Sequence, residues 1–433
     1  MSSKPLFSIV LPTRDRPDLV RRVLESLVAQ TFTDFEVIVS DNALNNPCLH
    51  EVSRFLVDKR FNYKRTLKPM DMCSHWDFAL EGATGEYVTI FSEKFMLRPD
   101  ALELMSQEII SSQPDVLTWQ YEIFDVSFID GLNLYGDYHP LIKPGNPINY
   151  DPVSELKRRV CFDFPLFCRY NKQKDSYGKI YSGAIHRNVL ARIKNNYGRI
   201  FHPLSPDFTS MIAILNESKV CVDMNQSLML VVNMAGTSNG EATKRSVVAT
   251  RQFIESFGLD IEKFRLQLPI PGFWIGHQVI VSADYELIRS LTCYGPLKNI
   301  KLDKGSLAFW AQFDLEHIKE WEDETNDEFQ ILLRPFLRSL SRVRLEELGH
   351  NLKVSVSPSK NEIYHSGLKK VNYFSPGTTA ESLADIHWRE GFAPPRKPVS
   401  INSMELFQAL EYLYFYNVHS STLLELGKNG GQR

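Results

Sequence analysis

The first ninety residues alternate between short apolar runs and stretches with helical spacing. The runs "LFSIVLP" from Leu6 and "FEVIVSDNA" from Phe35 are rich in β-branched residues and predict buried strands. Between them, the apolar positions of "RPDLVRRVLESLVAQ" recur every three or four residues, as in an amphipathic helix. The alternation continues through "FNYKRT", "MCSHWDFALEGA" and "GEYVTIF". Strands that alternate with helices predict an α/β fold with a mostly parallel central sheet.

The pattern changes further along the chain. An aromatic stretch from Leu117 to about Asn149 predicts two strands and a loop, and "IYSGAIHRNVLARI" and "SPDFTSMIAILNES" predict helices. "VCVDMNQSLMLVVNMAGTSNGEATKRS" predicts a strand pair and a loop. Beyond about residue 245, "DEFQILLRPFLRSLSRVRLEELG" and "NSMELFQALEYLYFYNVHSSTLLELG" predict long helices. We therefore expect an α/β domain over residues 1–245 and a mainly helical region over residues 246–433.

Composition excludes several classes of protein. The 433-residue chain has a formal net charge of −3, which gives no reason to expect a nucleic-acid partner. No apolar run approaches the about 18 residues of a membrane span, and the N-terminus lacks the apolar region of a signal peptide. The six cysteines are scattered without a C-x-x-C pair, which favours reduced thiols over disulfides or a zinc site. We expect a cytoplasmic enzyme.

Polar residues follow three of the predicted strands at the point where each strand ends. They are Thr13-Arg14, Ser40-Asp41-Asn42 and Ser92-Glu93-Lys94. In open sheets with parallel strands, ligands bind beyond the carboxyl ends of the strands. The sequence therefore predicts a binding site at this edge of the sheet.

The first ~240 residues resemble the family 2 glycosyltransferases, which have the GT-A fold. The resemblance rests on the order and spacing of "FSIVLPTRDRPDLVRRVLESLVAQTFTDFEVIVSDNA", "HWDFALEGATGEYVTIF" and "LRPDAL", each of which alone is weakly specific. It implies transfer of a sugar from a nucleotide donor to an acceptor hydroxyl, usually with inversion and usually with a divalent metal. The helical region would then be an accessory, oligomerisation or acceptor-docking element.

The resemblance also implies which residues bind the nucleotide. Pro12, Thr13 and Arg14 lie where the family's first loop surrounds the nucleoside, and Asp41 lies where an aspartate bonds the base. A carboxylate there can accept the imide N–H of uracil or thymine, so a UDP- or dTDP-linked donor is expected. Asp71 borders the same region. Two alternatives stay open: Asp41 caps a turn, and Arg14 is a solvated surface charge. Trp76, near Asp71, is interpreted as a packing residue rather than a ligand contact.

Inverting transfer needs a general base that takes the proton of the acceptor hydroxyl. In the family this is an acidic residue at the start of a helix, and the counterpart here is Asp207 in "SPDFTSMIAIL". Aspartate in the first turn after proline is also good helix-start chemistry, which is the alternative. His186 and His202 are interpreted as structural.

The acidic metal-binding motif of the family is altered in this sequence. Lys94 stands where a metal-contacting aspartate is expected, and Glu93 alone remains, in a position to bond the ribose. A lysine ammonium repels a cation and attracts a diphosphate. We therefore predict no metal and no other cofactor, with Lys94 stabilising the leaving diphosphate. The alternative is that Lys94 points to solvent in a site that has lost catalysis.

A Gly/Ser/Asn-rich loop from Ala235 to Ser246 follows the last strand of the predicted α/β domain. By the resemblance, Lys244 and Arg245 of this loop would contact phosphate. A plain flexible linker is the alternative reading of the same residues.

Three functions compete for this sequence. The leading one is an inverting transferase of bacterial surface polysaccharide or glycan synthesis, with a glycan or lipid-linked acceptor. The second is an inactive GT-A relative acting as a binding or assembly module. A nucleotidyltransferase is disfavoured because no Gly-rich, Lys-terminated signature follows the first strand. The basic helix with Arg334, Arg338, Arg342 and Arg344 either docks at the inner face of a membrane or packs in a bundle.

Overall fold

The computed structural model describes residues 4–131, 133–139, 145–163, 176–234, 246–315, 318–321, 325–341 and 401–414. Four of the residues discussed above lie outside these ranges, namely Lys244, Arg245, Arg342 and Arg344. The phosphate contacts predicted for Lys244 and Arg245 therefore stay predictions.

As far as the start of β6 the chain alternates strands and helices, except that β5 directly follows β4. The elements of this half are β1 (Phe7–Thr13), α1 (Pro17–Val28), β2 (Phe35–Asp41), α2 (Leu49–Ser53), β3 (Phe61–Arg65), α3 (Met72–Leu80), β4 (Tyr87–Ile90), β5 (Phe95–Leu97), α4 (Ala101–Ser112) and β6 (Val116–Asp130). Then follow β7 (Asn133–His139), β8 (Ile148–Tyr150), α5 (Pro152–Val160), β9 (Gly183–His186), α6 (Arg187–Tyr197), α7 (Pro206–Glu217) and β10 (Cys221–Asn233).

Within the described part of the chain, the strands form one sheet that runs β11-β7-β6-β9-β4-β1-β2-β3, where β11 is Ile401–Glu405. Strands β3, β2, β1 and β4 pair in parallel, and antiparallel pairs begin at β9. Strand β10 lies parallel to β6 and antiparallel to β5 and β8. The predicted α/β fold with a parallel central sheet is confirmed.

Burial explains why these segments take these forms. All seven residues of β1 are buried, as expected for a strand covered on both faces. Helix α1 begins at Pro17, a residue suited to the first helical position, and buries the stripe that includes Leu19, Val23 and Leu27 against the sheet. Strand β1 contributes Val10 to one apolar cluster and Ile9 and Leu11 to another, so the strand that carries the site is packed on both faces.

Three element predictions were wrong in detail. The predicted strand pair after Val220 is one long strand, β10, whose pairing with β6 shifts register between Asp223 and Met229. A bulge of this kind adds residues without ending the strand. The predicted helix in "IYSGAIHRNVLARI" starts only at Arg187, because Gly183–His186 pair with β4 and β6. Residues 402–405, the start of a predicted helix, belong instead to β11, which pairs with β7.

In the described part of the chain after residue 246, five α-helices precede β11 and residues 406–414 are helical after it. The five helices are α8 (Val247–Glu255), α9 (Ile261–Gln267), α10 (His277–Leu291), α11 (Lys304–Leu315) and α12 (Asn326–Ser339). Helix α10 packs against α7 and α11, and one apolar core contains Val10 and Ile38 of the sheet together with Trp274 and Ile288. The boundary near residue 245 stays a prediction, but the two parts share this core.

Helix α12 is the described part of the basic amphipathic segment. It packs against α11 and buries Phe329, Leu333 and Leu337, while Arg334 and Arg338 are exposed. This arrangement fits the interpretation of a packed helix with solvated arginines. In the part of the chain that the structure describes, no helix is long and apolar enough to cross a membrane.

The shared core predicts that α10 unfolds together with the sheet. Ile288→Ala removes a side chain that is 0% exposed, so we expect a loss of about 2–5 kcal/mol in the free energy of unfolding. Leu291→Ala on the same helix, at a position 36% exposed, should cost less than about 1 kcal/mol. Urea unfolding followed by tryptophan fluorescence and circular dichroism should give one coincident transition. Two separate transitions, or equal effects of both variants, would contradict a shared core.

Candidate active site

A cavity of about 580 Å³ opens at the carboxyl ends of β1, β2 and β4. Its polar wall comes from the loop after β1, from Asn42 and from the residues after β4. The start of α7 supplies Asp207, and α8 and α10 supply Phe253, His277 and Ile280. Of the sequence-predicted site residues, the cavity brings together Pro12, Thr13, Arg14, Glu93, Lys94 and Asp207.

The altered motif after β4 is held in place by its backbone. The carbonyl oxygen of Lys94 accepts a hydrogen bond of 2.8 Å from the amide of Val232 in β10, and the Lys94 amide lies 3.3 Å from Ser92 Oγ. Glu93 is 8% exposed, and its carboxylate forms an ion pair with Arg16. The half-buried Lys94 thus sits at the cavity beside a carboxylate that already has a cationic partner.

Asp41 does not line the cavity, and its contacts fit the turn-capping alternative. It is 0% exposed, and its carboxylate accepts hydrogen bonds of 2.9 Å from the amides of Ala43 and Cys48 and from the Tyr63 hydroxyl. Burial, and after it the Asp41 carboxylate, raises the pKa values of Cys48 and Tyr63. Asp41 thereby fixes the loop after β2, and contact with a nucleotide base stays a prediction.

Asn42, the neighbour of Asp41, does line the cavity, and no role was predicted for it. Its amide nitrogen donates to the Met70 carbonyl at 2.9 Å, and its amide oxygen accepts from the Met70 amide at 2.9 Å. This pair of bonds ties the end of β2 to the loop before α3. Its position directly after a strand placed it at the predicted edge of the sheet, although no individual role was assigned to it.

Asp71 caps α3 and lies just outside the cavity lining. Its carboxylate accepts from the Ser74 amide at 3.0 Å. Burial acts to raise the pKa of Asp71, but the hydrogen bonds from Ser74 and the charge of Arg199 outweigh burial and lower it. The ionised cap fixes the first turn of α3, from which Met72, His75 and Trp76 reach the cavity.

Trp76 is largely a packing residue, as interpreted. It is 8% exposed, stacks on Tyr181 with ring centroids 5.5 Å apart, and meets the edge of Phe201 at 5.2 Å. The Tyr181 ring in turn contacts Phe95, which follows Lys94. This aromatic cluster supports the floor of the cavity.

His75 is a buried histidine that lines the cavity. It is 4% exposed, and its Nε2 lies 3.0 Å from Ser40 Oγ. Burial lowers the pKa of His75 to about 4, so the ring is neutral at pH 7. It contributes a fixed hydrogen bond rather than a positive charge.

Asp207 is the second residue of α7, after Pro206, and its side chain is half-buried at the cavity. The positive end of the helix dipole favours the ionised form that a general base needs. The same position also suits a plain helix start, so the geometry accommodates both readings of this residue.

Neither of the remaining candidate histidines lines the cavity. His202 is buried beside Thr209, and burial lowers its pKa. His186 caps α6 by accepting from the Asn188 amide at 3.3 Å, and it lies 3.6 Å from Glu86. These contacts fit structural roles, as interpreted from the sequence.

The residues after β4 are poorly suited to a divalent metal. Among the described residues no group of three or more His, Cys, Asp or Glu side chains could hold an ion. Magnesium and manganese sites use several oxygen ligands, whereas Glu93 is paired with Arg16 and followed by Lys94. The described side chains after β4 do not fit the metal that the resemblance implies.

The sequence of this site matches a known protein family. Residues 8–157 match the family model described as Glycosyl transferase family 2. This segment, which is less than half of the chain, is similar to that family. It contains every cavity residue up to Lys94, while Asp207 and the residues of α8 and α10 lie beyond it.

Two curated relatives match part of the chain. Protein CgeD of Bacillus subtilis (strain 168) is 26% identical over 115 residues, which are 25% of this chain and 27% of CgeD. The uncharacterized protein y4gI of Sinorhizobium fredii is 28% identical over 120 residues, 27% of this chain and 13% of y4gI. The matches thus span about a quarter of the first relative and less of the second.

Solved structures of S. aureus TarS 1–349, among them complexes with UDP and with UDP-GlcNAc, also align with this chain. The identity is 12%, the TM-score is 0.41, and the alignment covers 98% of this chain and 92% of TarS 1–349. So distant a likeness carries no argument about the site.

Burial of neutral His75 predicts a stability that falls in acid. The unfolded chain binds a proton below pH 6.5, whereas the folded protein resists it until about pH 4, so stability present above pH 6.5 is lost as the pH falls to 4. We expect a loss of about 3 kcal/mol from this group. His75→Gln should flatten the pH dependence of urea unfolding, whereas His50→Gln, at a side chain 95% exposed, should not. If the free energy of unfolding depends on pH equally in His75→Gln and in wild type, the lowered pKa assigned to His75 is contradicted.

Proposed function

We propose that this protein is an inverting glycosyltransferase that moves a sugar from a UDP- or dTDP-linked donor to a hydroxyl of a glycan or lipid-linked acceptor. Its place would be the cytoplasmic side of bacterial surface-polysaccharide or glycan synthesis. One observation carries the proposal: a single cavity, bordered by the family 2 domain, is lined by both Lys94 and Asp207. The cation suits a leaving diphosphate, and the carboxylate suits a base.

The mechanism assigns one task to each wall of the cavity. The loop after β1 and Asn42 lie at the strand ends, where a nucleoside would bind. Asp207 takes the proton from the acceptor hydroxyl while the oxygen of that hydroxyl attacks the anomeric carbon. The bond from that carbon to the diphosphate breaks on the opposite face, which inverts the configuration. The negative charge that develops on the leaving diphosphate is stabilised by Lys94 and Arg14.

In this proposal the lysine replaces the Lewis acid of metal-dependent relatives. The Arg16–Glu93 pair supports it because it occupies the carboxylate that would otherwise attract a cation. An ammonium close to a phosphate in a partly buried cavity is more effective than in water, since the surrounding dielectric is lower. The chain would then need no divalent ion for transfer.

The first test measures donor binding and the role of Lys94. UDP-N-acetylglucosamine, UDP-glucose and dTDP-glucose are screened by thermal shift in EDTA, since a ligand of the native state raises its apparent stability. We expect binding of a nucleotide sugar and turnover that survives EDTA. Lys94→Ala should lower kcat by about 10²–10³-fold, the usual loss for one group that stabilises developing charge. The matched control is Lys59→Ala, at an exposed lysine outside the cavity lining, which should leave kcat unchanged.

The measurements in that experiment test separate claims, and each claim can be refuted on its own. Activity abolished by EDTA and restored by manganese would refute metal independence. Full activity of Lys94→Ala would refute the role of the lysine. Nucleotide binding without turnover under any condition would favour the binding-module alternative, and no binding at all would overturn the proposed function.

The second test concerns the base. Asp207→Asn keeps the size of the side chain but removes its basicity, so kcat should fall by about 10²–10⁴-fold while UDP affinity from calorimetry stays within about twofold. The chain offers a matched control because α1 also begins with proline and aspartate, Pro17 and Asp18, and Asp18 is exposed. Asp18→Asn makes the same change at a helix start outside the cavity. If both variants keep wild-type turnover, Asp207 is only a helix-start residue.

A further inference from the structure

One face of α10 points towards the start of α7. His277 and Ile280 line the cavity, and Asp284 lies one further helical turn along the same face, at the spacing that puts side chains in a row. Helix α10 packs directly against α7. A helix from outside the family 2 segment therefore meets the helix that carries Asp207.

Asp284 holds the backbone immediately before α7. It is 1% exposed, its Oδ1 accepts a hydrogen bond of 2.5 Å from the Leu204 amide, and its Oδ2 accepts one of 3.0 Å from the Ser205 amide. Two amides that bond to two different oxygens fix both the position and the direction of a short segment. Asp207 follows two residues after Ser205.

Other contacts fix the same segment from different sides, but with weaker groups. The His202 carbonyl accepts from Cys73 Sγ of α3 at 3.1 Å and from Thr209 Oγ1 at 3.0 Å. The Ser205 side chain makes no capping bond to α7. The hydrogen bonds by which α10 fixes residues 204 and 205 are therefore those to the carboxyl group of Asp284.

We propose that Asp284 is a positioning residue that sets the place of Asp207 in the cavity. The proposal rests on the proposed function, in which Asp207 is the base. A buried carboxyl group is costly unless its oxygens find hydrogen-bond donors, and the two amides supply one donor to each oxygen. Burial raises the pKa of Asp284 to about 8 against the effect of these hydrogen bonds, and the charge of Asp207 adds to the increase.

The chain contains a matched control for this residue. Asp223 on β10 is 0% exposed, accepts hydrogen bonds of 2.8 Å from the Asn225 amide and the Thr118 hydroxyl, and has its pKa raised by burial to about 6. It does not line the cavity. Asp223→Asn therefore reproduces the loss of a buried, backbone-bonded carboxylate away from Asp207.

The first readout needs no activity. Hydrogen exchange followed by mass spectrometry should show slow exchange at the Leu204 and Ser205 amides in wild type, because both donate to a buried oxygen. Asp284→Asn offers one acceptor oxygen instead of two, so exchange of this segment should be at least about tenfold faster. Asp223→Asn should leave it unchanged. Fast exchange of these amides in wild type would overturn the proposal, whether or not Asp284→Asn folds.

The second readout is kinetic, with UDP-N-acetylglucosamine as donor and UDP release as the signal. Asp284→Asn should lower kcat by about 10–100-fold and leave the UDP dissociation constant within about twofold, as expected when a base is misplaced. The double variant Asp207→Asn/Asp284→Asn should be no slower than Asp207→Asn alone. If the rate losses of the two single variants multiply in the double variant, Asp284 does not act through Asp207. Wild-type turnover of Asp207→Asn would instead refute the role of Asp207 as the base, and the exchange result would still decide whether Asp284 holds the segment.

Discussion

The parallel pairing of β1 with both β2 and β4 is the constraint on which the rest of the structure depends. Thr13 lies opposite Asp41, and Val10 lies opposite Ile90, so the three strands end at one edge. Parallel strands must be covered on both faces, which is why β1 is apolar and buried throughout. The residues that follow the strands are then brought together at one place although they lie some eighty positions apart in sequence.

This dependence explains how much could be predicted from the sequence. Apolar runs and helical spacing identified β1 to β4 with α1 and α3, and the polar residues at the strand ends identified most of the polar wall of the cavity. Local signals were sufficient there because parallel topology converts position along a strand into position in space. The bulge in β10 could not be anticipated, since a register shift between Asp223 and Met229 depends on the partner strand β6.

The rest of the site depends on contacts that no local pattern contains. His277 and Ile280 reach the cavity only because α10 packs on α7, and Asp284 meets Leu204 across eighty positions of sequence. For Asp41 the local pattern is present but has two meanings. A carboxylate after a strand suits both a ligand and a turn, and the donors around it, from Ala43, Cys48 and Tyr63, show contacts that fit the turn, while contact with a base stays a prediction. Residue type and spacing define candidates, and the hydrogen bonds decide their roles.

The charge of the cavity wall has a consequence for what can bind there. Among the described residues of the lining, Arg14, Arg16 and Lys94 oppose Glu93 and Asp207, and His75 is neutral. With His277 left aside, the acidic and basic side chains give a net charge of about +1 before a ligand enters. A divalent cation would add to this excess, whereas a nucleoside diphosphate would reverse it. The Arg16–Glu93 ion pair occupies one of the two carboxylates of the lining, and this pairing is compatible with the proposed binding of an anionic group at Lys94 and with the proposed role of Asp207 as the base.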